Sequence, residues 1–465
     1  MMRRATSSLA RYSPRVALWL ALSASACSVD RLLEVDTPDQ VTTSNTASAS
    51  GAQAQRVAGI GLFSRFFAAS DGSTGIGLNV TTAILSDEAF TARGGSEHLD
   101  IRAQDPALFP ANASWAPFGD AYNGLTRGIR ALNKFPPAAP SAAVSQTGQL
   151  YMLSGFVFTL MAETHCNGIP VSNVTDDAPS TTTFTTPELY AKALVLYDSA
   201  LATLSTSPSD QTFRHAARIG KARTFVNLDQ YDKAAQVVGA GGDGAGSQAV
   251  PSSYVYNVEM SNATTLTINS AFNWFTSTKN FGAADKEGIN GLDFVSARDP
   301  RIAVDGTRLG AGQDGTLTPL FNQFPAINTP VMLASGIEAR LIEAEYALKR
   351  GDAGGALALL NAVRTTKAGL APLADPGSPS ALVDLLFRER ALWMYFTAHR
   401  LGDLRRLVRQ YRRPPETVFP TGAYAKGGRY GTELVLVPAQ TELNNPAWGG
   451  PGSTDPKKVC RDMQA

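Results

Sequence analysis

Two stretches of the chain align with each other without a gap, and this internal repeat limits the possible fold more than any other feature. Residues 215–234 align with residues 337–356. Small residues at matching positions would let two antiparallel helices approach closely, and Asp229 and Gly351 fall where each pair of helices must turn. The repeat predicts two helix–turn–helix units of the tetratricopeptide type. The identical pairs are Ala217 and Ala339, Arg218 and Arg340, Ala222 and Ala344, and Ala234 and Ala356.

Apolar residues recur at intervals of three and four in four other stretches, which predicts amphipathic helices. Proline or glycine residues follow most of these stretches and would end the helices. Thr186 is the predicted N-cap of the third. The predicted fold class is all-α, a tetratricopeptide-like helical solenoid with few short strands, one of them at residues 434–437. The four predicted helices are 114–135, 149–166, 187–204 and 380–411.

The stretch between the two repeats differs in composition from the predicted helices. Residues 239–335 are rich in Gly, Asn, Thr and Ser, which predicts a large irregular insertion into the solenoid. We therefore expect a single domain over 51–465. Its parts are a helical body at about 51–238 and 336–413, the insertion at about 239–335, and a loop-rich C-terminal tail at 414–465.

The N-terminus has the layout of an export signal. Arginines precede a short apolar run, small residues follow, and Cys27 comes next. The run from Val16 to Leu22 is too short for a membrane span, which needs about 20 apolar residues. The stretch before Cys27 resembles a bacterial lipobox, although Ala24 stands where leucine is usual. We predict a signal peptide over 1–26, lipidation of Cys27 and a tether over 27–50; an ordinary signal peptide with an incidental cysteine is the alternative.

Two further cysteines remain once Cys27 is assigned to lipidation. In an exported chain, Cys166 and Cys460 are more naturally one disulfide than two free thiols. A partial metal site is the alternative, but structural zinc needs four ligands and no histidine cluster lies near either cysteine. We predict the disulfide and no metal site.

Patterns that would indicate an enzyme are missing from the sequence. The four histidines are scattered, no phosphate-binding loop motif occurs, and the adjacent carboxylates Asp87 and Glu88 would not face each other as a glycosidase pair must. The formal net charge of +1 gives no general attraction to nucleic acid. We predict no catalytic residues, no cofactor and no enzymatic activity.

One group of charged residues could be mistaken for an acid–base site. Glu389, Arg390, Arg400 and Asp403 lie close in sequence, and Arg400 and Asp403 have the spacing of an ion pair on one helix. We interpret the four as structural ion pairs.

Aromatic residues of the insertion are the predicted ligand contacts, because aromatic faces stack on sugar rings and peptide side chains. An equally simple explanation is that they form a small core within the insertion. The five candidates are Tyr254, Tyr256, Trp274, Phe275 and Phe281.

Two stretches carry distinctive motifs: 150–170 ends in Asn-Gly-Ile-Pro, and 341–364 contains Glu-Ala-Glu-Tyr-Ala-Leu and Leu-Asn-Ala-Val-Arg. With these and the preceding motifs in this order, the chain resembles the SusD/RagB family of outer-membrane nutrient-binding lipoproteins. The late helix departs from the family pattern at Trp393 and at Thr397-Ala398, so the chain resembles a divergent member. The remaining matches are Glu389-Arg390, then Arg400, Asp403, Leu404 and Arg406, then Val437-Pro438, Glu442 and Asn445-Pro446.

The resemblance implies a function as well as a fold of about four tetratricopeptide units. It implies a lipid-anchored protein, exposed on the outer membrane, that captures a glycan or other oligomeric nutrient. It also implies delivery of that ligand to a SusC-like, TonB-dependent transporter barrel. The alternatives are a lipid-anchored tetratricopeptide scaffold that binds another protein and, less favoured, an extracellular hydrolase.

Overall fold

The computed structural model describes residues 47–70, 75–110, 115–174, 179–244, 247–263 and 267–444. The described residues all belong to one compact unit. The predicted signal peptide, Cys27 and Cys460 lie outside the described residues.

Long helices form the first half of the body. Helix α1 (Ala49–Phe67) begins where the Ser48 side chain accepts a hydrogen bond from the Gly51 amide at 3.0 Å. It packs on α4 (Trp115–Lys134) at Gly59 and Gly124, where a Cβ on Gly59 would lie only 2.8 Å from the Gly124 carbonyl oxygen. The first helices are α1, α2 (Leu78–Leu85), the short α3 (Glu97–Asp100), α4 (Trp115–Lys134) and α5 (Pro140–Thr164).

The repeated helix pairs predicted from the sequence are confirmed. Both predicted turns have left-handed backbone, with φ of 59° at Asp229 and 81° at Gly351. Helix α6 precedes the first pair, and its N-cap is Thr185 in a capping box with Glu188, so the predicted cap at Thr186 was one residue late. These helices are α6 (Thr186–Thr203), the pair α7 (Pro208–Asn227) and α8 (Tyr231–Val238), and the pair α9 (Gly336–Lys349) and α10 (Ala353–Arg364).

The helix predicted over 380–411 is wrong as a single element. It is two helices, α11 (Pro379–Trp393) and α12 (Arg400–Arg409), separated by a break in which Phe396 and Ala398 both have φ of 59°. The Phe396 amide donates to the Glu88 carboxyl at 3.1 Å, which holds the break in place from another part of the chain. A 3₁₀ turn (Pro415–Thr417) and the short helix α13 (Gln440–Leu443) follow.

Ten short strands within the described residues pair as five antiparallel ribbons. The insertion is therefore more ordered than its composition predicts. Ribbon β5–β10 joins its two ends, and β6 and β7 pair with β1 and β2 from the N-terminal part. The strand predicted at 434–437 does not form; only Leu436 makes an isolated bridge, with His165. The strands are β1 (Ala69–Ser70), β2 (Ala89–Thr91), β3 (Ile169–Val174), β4 (Pro179–Phe184), β5 (Val255–Val258), β6 (Ile268–Asn269), β7 (Phe281–Ala283), β8 (Val304–Ala311), β9 (Leu317–Phe321) and β10 (Val331–Ser335), with a π-helical turn (Phe272–Ser277) between β6 and β7.

Most buried apolar side chains belong to one continuous core, and a smaller core lies among α9, α10 and α11. Among the described residues, no helix is long and apolar enough to cross a membrane.

Candidate functional site

A cleft of about 720 Å³ lies between the insertion and the C-terminal tail. Its size is within the range of about 300–1,000 Å³ that is usual for small-molecule sites. Three aromatic side chains, Phe90, Tyr424 and Tyr430, line it together with the polar residues Lys286 and Lys426. We call this space the insertion–tail cleft.

Hydrogen bonds hold the insertion and the tail together beside the cleft. The Asn290 side-chain amide donates to the Phe419 carbonyl at 2.9 Å, and the Ile289 amide donates to the Thr421 carbonyl at 3.1 Å. Gly288 has φ of 56°, and a Cβ there would lie 2.7 Å from the Thr421 oxygen. The approach of the tail to the insertion therefore depends on a glycine at this position.

Two strand ribbons supply the apolar part of the cleft. Phe90 of β2 lies opposite Gly282 of β7, and a Cβ on Gly282 would approach the Phe90 ring to 2.5 Å. In the other ribbon Leu309 of β8 lies opposite Pro319 of β9, and both line the cleft. Leu309 is 57% exposed, so its apolar surface is available to a ligand.

Buried carboxyl groups hold the two cleft tyrosines. The Tyr424 hydroxyl donates to Asp100 Oδ2 at 2.8 Å, and the Tyr430 hydroxyl donates to Glu287 Oε1 at 3.1 Å. The rings meet edge to face with centroids 5.5 Å apart. Both rings are thus fixed before a ligand arrives, which lowers the entropic cost of binding.

Asp100 and Glu287 form a carboxyl pair under the cleft. The two side chains are hydrogen-bonded to each other, and burial raises the pKa of both. Asp100 Oδ1 and Glu287 Oε2 are buried, and no other group among the described residues donates to them. Because two carboxylates cannot hydrogen-bond without a proton, one of them is protonated. The hydrogen bond raises the pKa of Glu287 and lowers that of Asp100, which places the proton on Glu287.

An ion pair joins the tail to the turn of the β8–β9 ribbon. Lys426 Nζ lies 2.5 Å from Asp314 Oδ2, and both side chains are about one-fifth exposed. The Asp314 carboxylate also accepts the Thr316 amide at 2.9 Å, which fixes its position in the turn. Thr316 and Lys426 both line the cleft, so this pair sets the distance between two of its walls.

A second group of charged residues lies inside the helical body. Arg223 donates to Glu163 at 2.7 Å and contacts His399 at 2.8 Å, and His399 lies 3.1 Å from Glu338. The space between these side chains is about 10 Å³, enough for about one water molecule. This cluster cannot admit a substrate, and its role is to connect helices α5, α7, α9 and α12.

The four charged residues predicted to form structural ion pairs are all paired, but not as the spacing suggested. Arg390 donates to Asp403 at 2.8 and 2.9 Å. Arg400 does not pair with Asp403 and instead donates to Asp87 at 2.6 and 2.7 Å. The predicted Arg400–Asp403 pair is therefore wrong, because Asp403 is occupied by Arg390 and by Arg406, which donates to its Oδ1 atom at 2.7 Å, while Asp87 pairs with Arg400.

Glu389 is paired with residues that are distant in sequence. Its carboxylate accepts Arg301 of the insertion and Arg364 of α10, both at 2.6 Å. Arg301 also donates to Asp299 at 2.8 Å. Glu389 thereby ties the insertion to the helical body.

The aromatic residues predicted to contact a ligand are mostly core residues. Trp274, Phe275 and Phe281 are 3%, 2% and 0% exposed, and the Phe275 ring lies 5.0 Å from that of Phe396. Tyr256 is also buried. These four residues offer no free ring face, so they form the small core that was the alternative explanation.

Tyr254 is the remaining candidate from that group. It is partly buried, and its hydroxyl donates to the Thr212 carbonyl at 2.5 Å. It does not line the insertion–tail cleft. The cleft residues Phe90, Tyr424 and Tyr430 were not predicted, because they lie in segments without periodicity. The available signal was the pair of tyrosines in the glycine-rich segment 422–431.

Cys166 is fully buried and disulfide-bonded. The predicted partner, Cys460, lies outside the described residues, so this pairing stays a prediction. In the described part of the chain, no group of three or more His, Cys, Asp or Glu side chains could hold a metal ion.

Comparison with known proteins gives a result at the level of structure alone. No protein-family model matches the sequence, and no curated protein matches it. A SusD superfamily protein from Bacteroides fragilis is similar with a TM-score of 0.59 at 15% identity, over 84% of this chain and 96% of that one. A SusD superfamily protein from Bacteroides vulgatus gives 0.56 at 14% identity, over 77% and 88%. A SusD-like carbohydrate binding protein from the same species gives 0.54 at 11% identity, over 77% and 83%. The chain therefore has the fold of the SusD superfamily.

Proposed function

We propose that this protein is a nutrient-binding lipoprotein that captures a saccharide in the insertion–tail cleft and delivers it to a TonB-dependent transporter barrel. The observation that carries the proposal is the cleft itself, in which two fixed tyrosine rings and a phenylalanine lie among polar side chains. The SusD fold, which one similar structure shares as a SusD-like carbohydrate binding protein, supports the same function.

The chemistry of the cleft suits a sugar better than a fully apolar or a highly charged ligand. A pyranose has an apolar C–H face and a rim of hydroxyls, and aromatic rings bind the first while polar groups bind the second. The tail ion pair neutralises Lys426, which leaves the cleft without a strong net charge at that end. Glycans, peptides and other polymers differ in their proportions of apolar, polar and charged groups. The lining of the cleft favours a neutral glycan.

The membrane part of the proposal depends on the N-terminal sequence. Lipidation of Cys27 would tether the body to the outer membrane through residues 27–50. Mass spectrometry of the mature N-terminus tests this step. A mature protein that begins elsewhere, or an unmodified Cys27, would leave the protein without its anchor and contradict the proposal.

Replacing Tyr430 by alanine tests the binding site. Tyr430 lines the cleft and is partly buried, whereas Tyr424 is buried, so Tyr430 is the tyrosine whose ring is more available to a ligand. We expect a loss of affinity of about tenfold or more, since one aromatic contact contributes about 0.5–1.5 kcal/mol beyond its buried area. The measurement is calorimetric titration with the glycan that binds best in an array screen.

Tyr346→Ala is the matched control. Tyr346 is also partly buried, but it lies on α9 and does not line the cleft. This variant should bind as the unmodified protein does. Equal affinities for the Tyr430 and Tyr346 variants would show that the glycan binds elsewhere, and the absence of any glycan ligand would favour the scaffold alternative.

A further inference from the structure

A second polar pocket lies in the helical body, at the ends of four helices. It has a volume of about 420 Å³ and is formed where the end of α7 and the start of α6 meet α12 and the segment after α5. Arg405 and Arg409 of α12 line it, together with Tyr190 and Asn227. None of its described lining residues is acidic. We call it the Arg409 pocket.

Arg409 has unused hydrogen-bonding capacity in this pocket. Its Nε and Nη2 atoms are buried and have no acceptor among the described residues. No described carboxylate lies within 4 Å of its guanidinium group, although most of the buried arginines of the protein have such a partner. Arg409 is the last residue of α12, and the partial negative charge of a helix end, about half a unit, does not balance it.

Tyr190 adds a buried hydroxyl group beside this arginine. Its side chain is 1% exposed, and its hydroxyl makes no hydrogen bond of good geometry within the described residues. Burial raises the pKa of Tyr190 to about 12, while the charge of Arg409 and a side-chain contact between Arg409 and the hydroxyl act in the opposite direction. The hydroxyl is therefore protonated at neutral pH and can donate to a ligand.

Asn227 adds an acceptor of fixed orientation. Its Nδ2 group donates to Glu163 at 2.6 Å and to the Arg223 carbonyl at 3.0 Å, and since both partners are acceptors the amide cannot be reversed. Its Oδ1 atom is buried and has no donor. The pocket thus combines cationic and neutral donors for an anion with one acceptor for a hydroxyl.

The nearby helix start does not explain these groups. The Thr185 hydroxyl and the Glu188 carboxylate form a capping box at the start of α6, and the Thr186 amide donates to Asn167 at 2.8 Å. The first amides of α6 are therefore already bound. The donors that remain in the pocket are side chains.

We propose that the Arg409 pocket binds a carboxylic acid that carries neighbouring hydroxyl groups, the chemistry of a uronic acid. The carboxylate accepts from Arg409 and Tyr190, and a hydroxyl of the ligand donates to Asn227 Oδ1. This site is separate from the insertion–tail cleft, and the inference does not depend on what the cleft binds.

Calorimetric titration of the full-length protein with glucuronate tests the proposal, with glucose as the neutral ligand of similar shape. Glucuronate should bind with a saturable isotherm, and glucose should show no binding at the same concentrations. Arg409→Gln should weaken glucuronate binding by at least tenfold, because it removes the charge and the paired donors. Tyr190→Phe should weaken it by a smaller factor.

Arg412→Gln is the control, because Arg412 is exposed just beyond α12 and does not line the pocket. It removes the same charge from the same region and should bind glucuronate as the unmodified protein does. Circular dichroism and the melting temperature show whether each variant is folded. Equal affinities for the Arg409 and Arg412 variants, or no saturable binding of glucuronate to the unmodified protein, would overturn the proposal.

Discussion

Replacing Glu88 by glutamine should make the stability of this protein less sensitive to pH between about pH 5 and pH 8. Glu88 is completely buried, and its Oε2 atom has no donor among the described residues. Burial raises its pKa from 4.5 to about 8, although the Phe396 amide, which donates to Oε1, acts in the opposite direction. The carboxyl group is therefore mainly protonated at neutral pH, and a glutamine can replace it without loss of charge.

The size of the effect follows from proton linkage. Between the unfolded pKa and the folded one, the folded state binds a proton that the unfolded state has released, so stability falls as the pH rises. The slope is about 1.4 kcal/mol per pH unit for one group. From pH 5 to pH 7 the free energy of unfolding should fall by up to about 3 kcal/mol because of Glu88. Glutamine has no such slope.

The free energy of unfolding of the Glu88→Gln variant and of the unmodified protein is measured by denaturant unfolding at several pH values. The difference between the two free energies is then plotted against pH. That difference should rise steadily in favour of the variant from pH 5 to pH 7. Glu259→Gln, at an exposed position, is the control and should give a nearly constant difference. Parallel pH profiles for Glu88→Gln and the unmodified protein would refute the assignment of a buried neutral carboxyl.

Three other predictions concern single contacts. Asp403→Asn should destabilise the protein by about 3–5 kcal/mol in denaturant unfolding, because it leaves the buried Arg390 and Arg406 groups without their shared carboxylate; a loss below 1 kcal/mol would contradict this. Glu287→Gln should leave affinity for the cleft ligand unchanged at neutral pH, since a protonated carboxyl and an amide both donate to Asp100. At higher pH the Glu287→Gln variant should keep its affinity for the cleft ligand, while the unmodified protein loses affinity as the proton leaves the Asp100–Glu287 pair. If both proteins lose affinity together as the pH rises, the two carboxyl groups do not share a proton. Peptide mapping without reductant should find Cys166 joined to Cys460, a bridge that contributes about 4–5 kcal/mol in the chain-entropy model; recovery of Cys460 as a free thiol would exclude it.

Local sequence rules predicted those parts of the fold that depend on local interactions. The two repeats were found because close helix packing needs small residues at fixed spacing, and Asp229 and Gly351 both adopt the left-handed backbone expected at a turn. The break between α11 and α12 was missed, because neither Phe396 nor Ala398 is a residue that usually ends a helix. Contacts from Glu88, distant in sequence, stabilise it.

The candidate site depended even more on distant contacts. Arg400 and Asp403 have the spacing of a helix ion pair. Arg400 instead pairs with Asp87, which lies 313 residues earlier in the chain. Aromatic composition predicted the ligand contacts wrongly for a similar reason. The exposure of an aromatic residue such as Trp274 or Tyr430 depends on which other segments of the chain pack against it. In irregular segments, sequence periodicity does not predict this packing.

Buried charge is distributed unevenly between the two parts of the molecule. In the helical body, the buried carboxylates Glu163 and Asp403 have arginine partners, and the pKa of Asp403 is lowered by Arg390 and Arg406, although burial acts in the opposite direction. Beneath the insertion–tail cleft, Glu88, Asp100 and Glu287 have no such partner within ion-pair distance in the described part of the chain, and burial raises the pKa of each.

These unpaired acids are linked to the cleft by direct contacts. The Glu88 carbonyl accepts the amide of Ala284, which lines the cleft, at 3.0 Å, while Asp100 and Glu287 hold its two tyrosines. A rise in pH adds buried negative charge at this place while the paired carboxylates of the helical body remain as they are. Asp100 and Glu287, which fix the cleft rings, have raised pKa values, so this pair still releases a proton at a pH at which Asp403 of the helical body is already ionised. A rise in pH should therefore change cleft geometry before it changes helical packing.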